Sequence, residues 1–235
     1  MESPWKGVSA AILVGGLGTR LRSVVTDRPK VLAPVAGRPF LSHLLDQLDD
    51  AGLREVTLLV GFAADQVQAA FGDSYRNLRV NYSVEPKPLG TGGALRLALP
   101  LLNCDTILLL NGDSYCDVDF PGFAAFHREH SVAATLALAE VPDGSRFGRV
   151  LRNTAGRIER FEEKGGSMSP GWINAGVYFF ERELVAGIES NRAVSLERDV
   201  LPQWVRRGRV FGFPAGRFID IGTPQSFAQA EAFFS

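Results

Sequence analysis

The feature that most constrains the fold of this chain is the segment 10–30, AAILVGGLGTRLRSVVTDRPK, in which a short apolar run leads into a glycine-rich turn. The run 10–14 has the length and apolarity of a strand that is buried on both faces of a sheet. Gly15, Gly16 and Gly18 then allow the backbone to approach a ligand closely, so that successive peptide N–H groups converge on phosphate oxygens. We therefore predict a phosphate-binding loop directly after a first strand.

Polar and cationic side chains accompany this loop. Thr19 offers a hydroxyl donor, and Arg20 and Lys30 bring positive charge to a loop that otherwise offers only peptide dipoles. Two better-known glycine motifs do not fit. A Walker A loop needs a Lys-Ser or Lys-Thr pair after its last glycine, where Thr19 and Arg20 stand, and a dinucleotide-binding loop needs a glycine where Leu21 stands. Taken alone, the glycines also fit an ordinary connection between a strand and a helix, so the interpretation depends on residues farther along the chain.

Length and composition restrict the class of protein. The 235 residues suffice for one α/β domain with a substantial core, and we expect a single domain over residues 1–235. The net charge of −1 is spread over interspersed basic and acidic residues, which argues against nucleic-acid and membrane partners. Cys104 and Cys116 form no metal-binding or disulfide pattern, and no apolar run has the length of a signal core or a membrane span. We expect a soluble, cytoplasmic protein and leave its oligomeric state open.

Strand-like and helical segments alternate in the first half of the chain. The strand candidates are residues 10–14, 55–60, 79–85 and 106–110, and the helical candidates are residues 41–48, 63–71 and 92–99. Such alternation predicts an α/β, Rossmann-like fold with a mostly parallel central sheet flanked by helices. Ligands in such folds bind beyond the carboxyl ends of the strands, where Glu85 and the segment 111–113 fall.

The second half of the chain is different in character and predicts a smaller β region. The segments 148–152 and 157–162 flank the turn 153–156 and are typical of a hairpin. An apolar strand candidate follows at 172–180. Further helices are predicted at 196–207 and 225–234.

Eight short motifs together resemble those of the sugar-1-phosphate nucleotidylyltransferases. They are GGLGTR (15–20), RPK (28–30), LAPV (32–35), LGTGG (89–93), NGD (111–113), EK (163–164), NAG (174–176) and DIGTP (220–224). Each motif alone is weakly specific, but their order and spacing are typical of this family, and the match spans nearly the whole chain. Within the family, the pattern is most similar to the guanylyltransferases that act on D-glycero-α-D-manno-heptose 1-phosphate.

The resemblance implies a nucleotidyl transfer from a nucleoside triphosphate, expected to be GTP, to a sugar 1-phosphate, with release of pyrophosphate. The attacking phosphate oxygen is already an anion, so catalysis needs positioning and charge neutralisation rather than a Ser-His or Cys-His pair. By resemblance, Arg20 stabilises the triphosphate and the leaving pyrophosphate, Lys30 neutralises charge at the α-phosphate, and Lys164 holds the sugar phosphate. A solvated surface cation is the alternative for each.

Asp113 and Asp220 are the candidate ligands of a magnesium ion. Mg²⁺ prefers a few carboxylates together with phosphate oxygens and waters, so two aspartates at strand ends are chemically sufficient. Capping of a turn or a helix is the alternative role of both residues. His127 and His130 share one face of a helical segment, but no third ligand lies nearby in the sequence, and we do not expect zinc there.

The base and the sugar have separate candidate residues. Glu85 would accept hydrogen bonds from both Watson-Crick donors of guanine, whereas uracil offers only one, and a surface salt bridge is its alternative role. The resemblance assigns the nucleotide to Leu13, Gly15, Gly16, Gly18, Thr19, Glu85, Gly90, Thr91 and Asn111. It assigns the sugar to Gly148, Glu163, Lys164 and Asn174, so the β region of the second half is expected on the sugar side.

Three other functions compete with this interpretation. The first is the same chemistry on another pair of substrates, such as uridylyl transfer to N-acetylmuramate 1-phosphate. The second is a noncatalytic nucleotide-sugar sensor, which would be expected to have lost the charged residues that this chain retains. The third is a Rossmann oxidoreductase, which Leu21 in place of the third glycine disfavours.

Overall fold

The computed structural model of the chain describes residues 3–16, 21, 28–147, 149–161 and 169–235. The strands are β1 (Val8–Leu13), β2 (Pro34–Val35), β3 (Arg38–Pro39), β4 (Glu55–Val60), β5 (Ser74–Tyr75), β6 (Leu78–Val84), β7 (Thr106–Asn111), β8 (Ser114–Cys116), β9 (Ala134–Val141), β10 (Val150–Arg152), β11 (Ile158–Phe161), β12 (Gly171–Glu181), β13 (Val210–Pro214) and β14 (Phe218–Asp220). The α-helices are α1 (Phe40–Asp50), α2 (Ala64–Phe71), α3 (Gly90–Ala98), α4 (Phe120–Glu129), α5 (Arg182–Ala186), α6 (Leu201–Arg206) and α7 (Pro224–Phe234).

Eight strands form one sheet in the order β13-β9-β12-β7-β1-β4-β6-β5. The central strands β7, β1, β4 and β6 are parallel, with Leu13 paired to both Asn111 and Leu59. Strand β12 is antiparallel to both β7 and β9, and β5 is antiparallel to β6. The predicted mostly parallel sheet is therefore confirmed. The parallel register brings the carboxyl ends of β1, β4, β6 and β7 to the same edge.

Two apolar clusters cover the two faces of this sheet. Alternate residues of β1 point to opposite faces, so Ile12 packs in one cluster and Ala11 in the other. The predicted periodicity at residues 41–48 places Leu41, Leu44, Leu45 and Leu48 of α1 in the first cluster, each at most 1% exposed. Helices α3 and α6 supply residues to the second cluster. The flanking of the sheet by helices follows from this two-sided burial.

The predicted hairpin is present as the two-stranded sheet β10–β11. Its turn is closed by Asn153, whose Oδ1 accepts hydrogen bonds from the backbone N–H groups of Ala155 and Arg157. Gly156 has a φ of +84° there, which a glycine adopts without strain. A strand end is predicted at Asp220, but the pairing of β14 with β8 is not, because three-residue strands give no periodic pattern.

The helix predicted at residues 196–207 is two elements. A π-helical turn, Leu196–Val200, precedes α6, and Pro202 lies in the first turn of that helix. Proline has no N–H group, so the regular hydrogen-bond ladder cannot run through this position. Ser195 caps the π-helical turn by accepting a hydrogen bond from the Arg198 N–H. This interruption shapes the cleft wall described below.

Three further observations bear on function. Cys104 and Cys116 are both free thiols. The ring of His127 is buried and its nitrogens pair with Thr135 Oγ1 at 2.7 Å and Glu181 Oε1 at 3.0 Å, which gives this histidine a structural role. Within the described part of the chain, no helix is long and apolar enough to cross a membrane.

Candidate functional site

A cleft of about 1370 Å³ lies at the carboxyl ends of the central strands. It brings together residues that are as far apart in sequence as Leu13 and Asp220. The predicted residues that line it are Leu13, Gly15, Gly16, Lys30, Glu85, Gly90, Thr91, Asn111, Asp113, Asn174 and Asp220. The predicted residues Gly18, Thr19, Arg20, Gly148, Glu163 and Lys164 lie outside the described residues.

Glu85 lies directly after β6, next to the backbone at the ends of β1 and β4. Its Oε2 accepts a hydrogen bond from the Leu89 N–H at 2.8 Å. Its Oε1 lies so close to Gly15 and Gly61 that a Cβ atom would come within 2.6 Å of it at the first position and 2.7 Å at the second. Burial raises the pKa of Glu85 above its ordinary value, and the Leu89 hydrogen bond opposes that shift. The glycines are thus required for the carboxylate to reach this end of the cleft.

Lys30 and Asp113 form an ion pair, with 2.7 Å between Nζ and Oδ2. The Lys30 side chain is 10% exposed, whereas that of Asp113 is 49% exposed and open to the cleft. Lys30 begins a 3₁₀ turn, Lys30–Leu32, after Pro29. Asp113 follows β7 and precedes β8. The sequence motifs predicted these residues separately, and the fold makes them neighbours.

Asp220 ends β14 and lies beside Asp113, because the register pairs Asp220 with Ser114 and the Ile221 N–H donates to the Asp113 carbonyl at 2.9 Å. Asp220 Oδ2 accepts from the Gly222 N–H at 2.9 Å, and Oδ1 pairs with Arg146 at 2.5 Å. Each candidate metal ligand is therefore held by one basic side chain.

Tyr178 forms a buried polar centre beneath the cleft. Its hydroxyl accepts a hydrogen bond from Asn174 Nδ2 at 2.9 Å, and Asn174 Oδ1 accepts one from the Gly176 N–H at 3.1 Å. Burial, followed by the negative charge of Glu197, raises the pKa of Tyr178 well above its ordinary value, although hydrogen bonds from Asn174 and Asn111 act in the opposite direction. The Asn111 Oδ1 atom is buried without a hydrogen-bond partner. Asn111 and Asn174, both predicted from the sequence, therefore interact with the same tyrosine hydroxyl, which is neutral.

The segment 194–197 forms a wall of the cleft against α3. Gly90 has a φ of +69°, and a Cβ there would lie 2.6 Å from the Val194 carbonyl oxygen, so a side chain cannot be accommodated. Thr91 accepts a hydrogen bond from the Leu196 N–H at 2.8 Å and donates one to Glu197 Oε2 at 2.8 Å. The hydroxyl of Thr91, predicted for the nucleotide, thus holds this wall in place.

Three residues at the site were not singled out by the sequence: Glu197 lines the cleft, Tyr178 lies beneath it, and Arg146 pairs with Asp220. Tyr178 was within a predicted strand, where its aromatic side chain indicated only core packing. Glu197 was within a predicted helix, and Arg146 within a loop before the predicted hairpin. For Tyr178, the nearby Asn174 of the NAG motif was the available signal, and for the other two no local pattern pointed to the cleft.

A family model for nucleotidyl transferases matches residues 9–235 of this chain. The chain belongs to the nucleotidyl transferase family. The family predicted from the sequence motifs is thereby confirmed. Of its 235 residues, 225 align at 35% identity with the D-glycero-alpha-D-manno-heptose 1-phosphate guanylyltransferase of Aneurinibacillus thermoaerophilus, covering 95% of this chain and 97% of that relative.

A second relative is longer than this chain. The mannose-1-phosphate guanylyltransferase of Mycobacterium tuberculosis is 38% identical over 229 residues, which cover 96% of this chain and 64% of that relative. The chain therefore spans a little under two thirds of the length of this relative and nearly all of the heptose 1-phosphate enzyme.

Solved structures agree with the fold. HddC from Yersinia pseudotuberculosis, crystallised with GMP-PN, has a TM-score of 0.85 at 32% identity, covering 97% of this chain and 99% of HddC. A putative glucose-1-phosphate thymidylyltransferase from Bacillus anthracis also has a TM-score of 0.85, at 22% identity over 96% of this chain and 94% of that structure. At 22% identity, the similarity to the second structure shows the fold alone. The two structures together confirm the predicted fold class.

Proposed function

We propose that this protein transfers GMP from GTP to a sugar 1-phosphate, releasing pyrophosphate and forming a nucleotide-sugar, with D-glycero-α-D-manno-heptose 1-phosphate as the expected acceptor. The observation that carries the proposal is the cleft in which Lys30, Asp113 and Asp220 meet at one end of a sheet and Glu85 stands at the same edge. The heptose acceptor is supported by the relative that matches this chain over almost its full length.

In the proposed reaction, an oxygen of the sugar 1-phosphate attacks the α-phosphorus of GTP, a new P–O bond forms, and the bond to pyrophosphate breaks. The nucleophile is an anion, so the protein has to align two negatively charged groups and offset their repulsion. Lys30 neutralises charge at the α-phosphate. Arg20 and Lys164 are proposed for the leaving pyrophosphate and the incoming sugar phosphate, respectively.

Asp113 and Asp220 are proposed to hold Mg²⁺. Their carboxylates lie on neighbouring strand ends and face the same cleft, and carboxylate oxygens are the ligands that this ion prefers. No cluster of three acidic, histidine or cysteine ligands exists among the residues that the structure describes, so phosphate oxygens and waters would complete the shell. When bound, Mg²⁺ would supply charge neutralisation at the phosphates. Lys30 and Arg146 hold the two carboxylates in position.

Glu85 is proposed to select guanine. Its carboxylate is set at the ends of β1 and β4, and its Oε2 is oriented by the Leu89 N–H. Two acceptor oxygens match the N1–H and amino donors of guanine, and a base with one donor leaves part of the carboxylate unpaired. Backbone groups of Leu13 and Gly90 would complete the base pocket, with Gly15 and Asn111 near the ribose.

The sugar is proposed to bind on the side of the cleft formed by β11 and β12. Asn174 and Gly176 lie on β12, and β11 leads directly into the segment that contains Glu163 and Lys164. Gly148 is proposed for the same region. The amide of Asn174 is held at both ends by the protein, so it presents a rigid polar surface to a sugar.

The test is a substrate matrix with purified protein. GTP, UTP, CTP and dTTP are each combined with heptose 1-phosphate, mannose 1-phosphate and N-acetylmuramate 1-phosphate in the presence of Mg²⁺, and both pyrophosphate and the nucleotide-sugar are quantified. We expect the highest kcat/KM with GTP and heptose 1-phosphate. Mannose 1-phosphate is the second acceptor, because a mannose-1-phosphate guanylyltransferase is 38% identical.

Other results of the matrix would contradict distinct parts of the proposal. A preference for UTP with N-acetylmuramate 1-phosphate would refute the guanylyl assignment but not nucleotidyl transfer. No turnover of any pair, with nucleotide-sugar binding measured separately by calorimetry, would favour the noncatalytic sensor. Cytoplasmic location belongs to the proposal too and is compatible with the free thiols of Cys104 and Cys116.

A further inference from the structure

Glu197 places a carboxylate in the cleft wall at a position outside the recognised motifs. It lies in the π-helical turn after Ser195, and its side chain lines the cleft. Its Oε2 accepts hydrogen bonds from the hydroxyls of Thr91 at 2.8 Å and Ser195 at 3.1 Å. Its Oε1 receives no hydrogen bond from any residue that the structure describes. One oxygen is fixed by the protein, and the other is open to a ligand.

The chemistry of this open oxygen restricts the group it can bind. An ionised carboxylate accepts hydrogen bonds and donates none, and it repels the phosphate groups of both proposed substrates. The group of either substrate that binds this oxygen must therefore be a neutral donor. Hydroxyl groups are the donors that a sugar 1-phosphate carries in greatest number.

The position of Glu197 favours the acceptor sugar over the base. Helix α6, which continues from the π-helical turn, packs on β11, and β11 leads into the segment proposed for the sugar. The charge of Glu197 also acts on Tyr178, whose hydroxyl holds the amide of Asn174. Glu85, in contrast, is at the ends of β1 and β4.

The open oxygen is also held rigidly. The Leu196 N–H donates to Thr91 Oγ1 at 2.8 Å, and the Gly92 N–H donates to the Val194 carbonyl at 2.8 Å. The Val194 N–H donates in turn to the Leu89 carbonyl at 2.8 Å. These bonds fix the π-helical turn to α3, so Glu197 cannot follow a sugar that presents its hydroxyl elsewhere. A fixed acceptor discriminates strongly, because a substrate that lacks the donor leaves it unpaired.

We propose that Glu197 is a specificity-determining residue whose Oε1 accepts a hydrogen bond from a hydroxyl group of the acceptor sugar. The proposal rests on the proposed function, because it requires a sugar 1-phosphate in this cleft. It adds a fourth polar side chain to Glu163, Lys164 and Asn174, which are already proposed for the sugar.

The test begins with Glu197→Gln. The amide oxygen of glutamine can accept the hydrogen bonds of Thr91 and Ser195, and its NH₂ group then replaces the open oxygen, so a donor stands where an acceptor stood. We expect kcat/KM for the sugar 1-phosphate to fall by roughly ten- to a hundredfold through KM, the usual range for loss of a charge-assisted hydrogen bond. The KM for GTP should change less than about twofold.

Asp199→Asn is the matched control. The Asp199 Oδ2 accepts a hydrogen bond from the Ser195 N–H at 2.8 Å, so this carboxylate supports the same turn, but it is exposed and lies away from the cleft lining. We expect kcat/KM within about twofold of the unaltered protein. An equal loss in both variants would mean that Glu197 acts only by supporting the turn, and would overturn the proposal.

A cycle with deoxy substrates identifies the partner of Glu197. The unaltered protein and Glu197→Gln are each assayed with mannose 1-phosphate and its 2-, 3-, 4- and 6-deoxy analogues, and with 2′-deoxy-GTP and 3′-deoxy-GTP. With one of the deoxy sugars, we expect the kcat/KM of the unaltered protein to fall by roughly ten- to a hundredfold. The kcat/KM of Glu197→Gln should hardly change with the same analogue, because the hydrogen bond is already lost in that variant. Coupling to a deoxy-GTP alone would overturn the assignment to the sugar, as would additive losses with every analogue.

Stability and basal turnover separate the remaining outcomes. If Glu197→Gln melts at a temperature well below that of the unaltered protein, Glu197→Asp is used in its place. Its carboxylate is still an acceptor but is shorter by one methylene, so coupling to the same single deoxy sugar should be reduced. Coupling distributed equally over all analogues in this variant would overturn the proposal. If the unaltered protein turns over no sugar 1-phosphate, the proposed function itself fails and the assignment of Glu197 fails with it.

Discussion

The Lys30 ammonium lies 2.7 Å from the Asp113 carboxylate, although 83 residues separate the two in sequence. The Lys30 ammonium has three N–H donors, so it can pair with Asp113 and still offer donors to a phosphate. The pair therefore links two proposed roles, neutralisation of the α-phosphate and binding of the metal, in one contact. If Asp113 holds the proposed Mg²⁺, its negative charge is shared between the ion and Lys30, and Lys30 can bind the phosphate more strongly.

This relationship predicts the effect of Lys30→Gln. Glutamine can still donate to Asp113, but it carries no charge for the phosphate, so we expect turnover to fall by roughly 10² to 10³, a typical cost of losing one group that stabilises developing charge. Steady-state kinetics with GTP and the sugar 1-phosphate measure this loss. The control is Lys6→Gln, at an exposed position before β1, which should retain turnover. Full activity of Lys30→Gln would exclude a role for Lys30 in catalysis.

Asp113→Asn and Asp220→Asn are each expected to raise the Mg²⁺ concentration needed for half-maximal rate and to lower the maximal rate. The amide keeps the shape of the side chain but removes the anion that a hard cation requires. Titration of Mg²⁺ at saturating substrates measures both effects. Asp117→Asn is the control, because Asp117 pairs with Arg217 at 2.8 Å and lies away from the cleft lining. Unchanged Mg²⁺ dependence in both cleft variants would remove the metal assignment.

Glu85→Gln is expected to weaken the preference for GTP. A carboxamide presents one acceptor and one donor, so it pairs poorly with the two donors of guanine and tolerates a pyrimidine better. Loss of a charge-assisted contact costs on the order of 1 to 3 kcal/mol, which corresponds to roughly a ten- to hundredfold change in relative kcat/KM. The four triphosphates are compared with one acceptor. An unchanged ranking would mean that backbone groups near Leu13 and Gly90 select the base.

The raised pKa of Glu85 predicts two opposite dependences on pH. Burial, the main cause, favours the protonated form in the folded state, so protonation begins above the pH at which an ordinary glutamate titrates. As the pH is lowered from neutrality through this raised pKa, the kcat/KM for GTP should therefore fall. The reason is that the protonated acid no longer offers two acceptors. The contribution of Glu85 to the free energy of unfolding has the reverse sign: it is fully present below the ordinary value of 4.5 and is lost as pH rises through the folded-state pKa.

Glu85→Gln supplies the control for both dependences. It has no titrating group at this position, so its acid limb in kcat/KM and its change in unfolding free energy over the same pH window should both be smaller than those of the unaltered protein. Identical pH profiles of the two proteins would assign the acid limb to another group.

The elements that could be predicted from sequence are those with a local pattern. The apolar runs of β1, β4 and β7 and the spacing of Leu41 and Leu48 in α1 depend on neighbours within one turn or strand. The β8–β14 pair depends on contacts between segments about 100 residues apart, and the π-helical turn depends on how Thr91 binds Leu196. Neither leaves a periodic trace in the sequence.

The same distinction applies to the candidate site. Motif residues such as Glu85 and Asp113 could be named because family resemblance carries them, and the fold brought them to one cleft. Arg146 and Glu197 are identified only by their partners, Asp220 and Thr91, each more than 70 residues away. Arg20 and Lys164 lie outside the described residues, so their roles stay predictions.

Gly176→Ala should both destabilise the protein and lower its activity. Gly176 has a φ of +78°, and a Cβ there would lie 2.8 Å from Ser114 Oγ and 2.9 Å from Asn111 Nδ2. Gly37→Ala is the matched control, because Gly37 has a φ of +77° but no atom within 4 Å of the added Cβ. Both variants carry the backbone strain of about 1 to 2 kcal/mol, and only Gly176→Ala adds crowding of about 1 to 3 kcal/mol.

The two variants therefore separate crowding from backbone strain. Urea unfolding measures the difference in stability, and kcat/KM measures whether displacement of Asn111 reaches the cleft. We expect Gly37→Ala to retain activity and Gly176→Ala to lose it beyond what its fraction unfolded explains, because Ser114 and Asn111 both line the cleft. Equal stability of the two variants would show that the neighbours of Gly176 yield at no cost. Full activity of folded Gly176→Ala would show that the position of Asn111 is not critical for substrate binding.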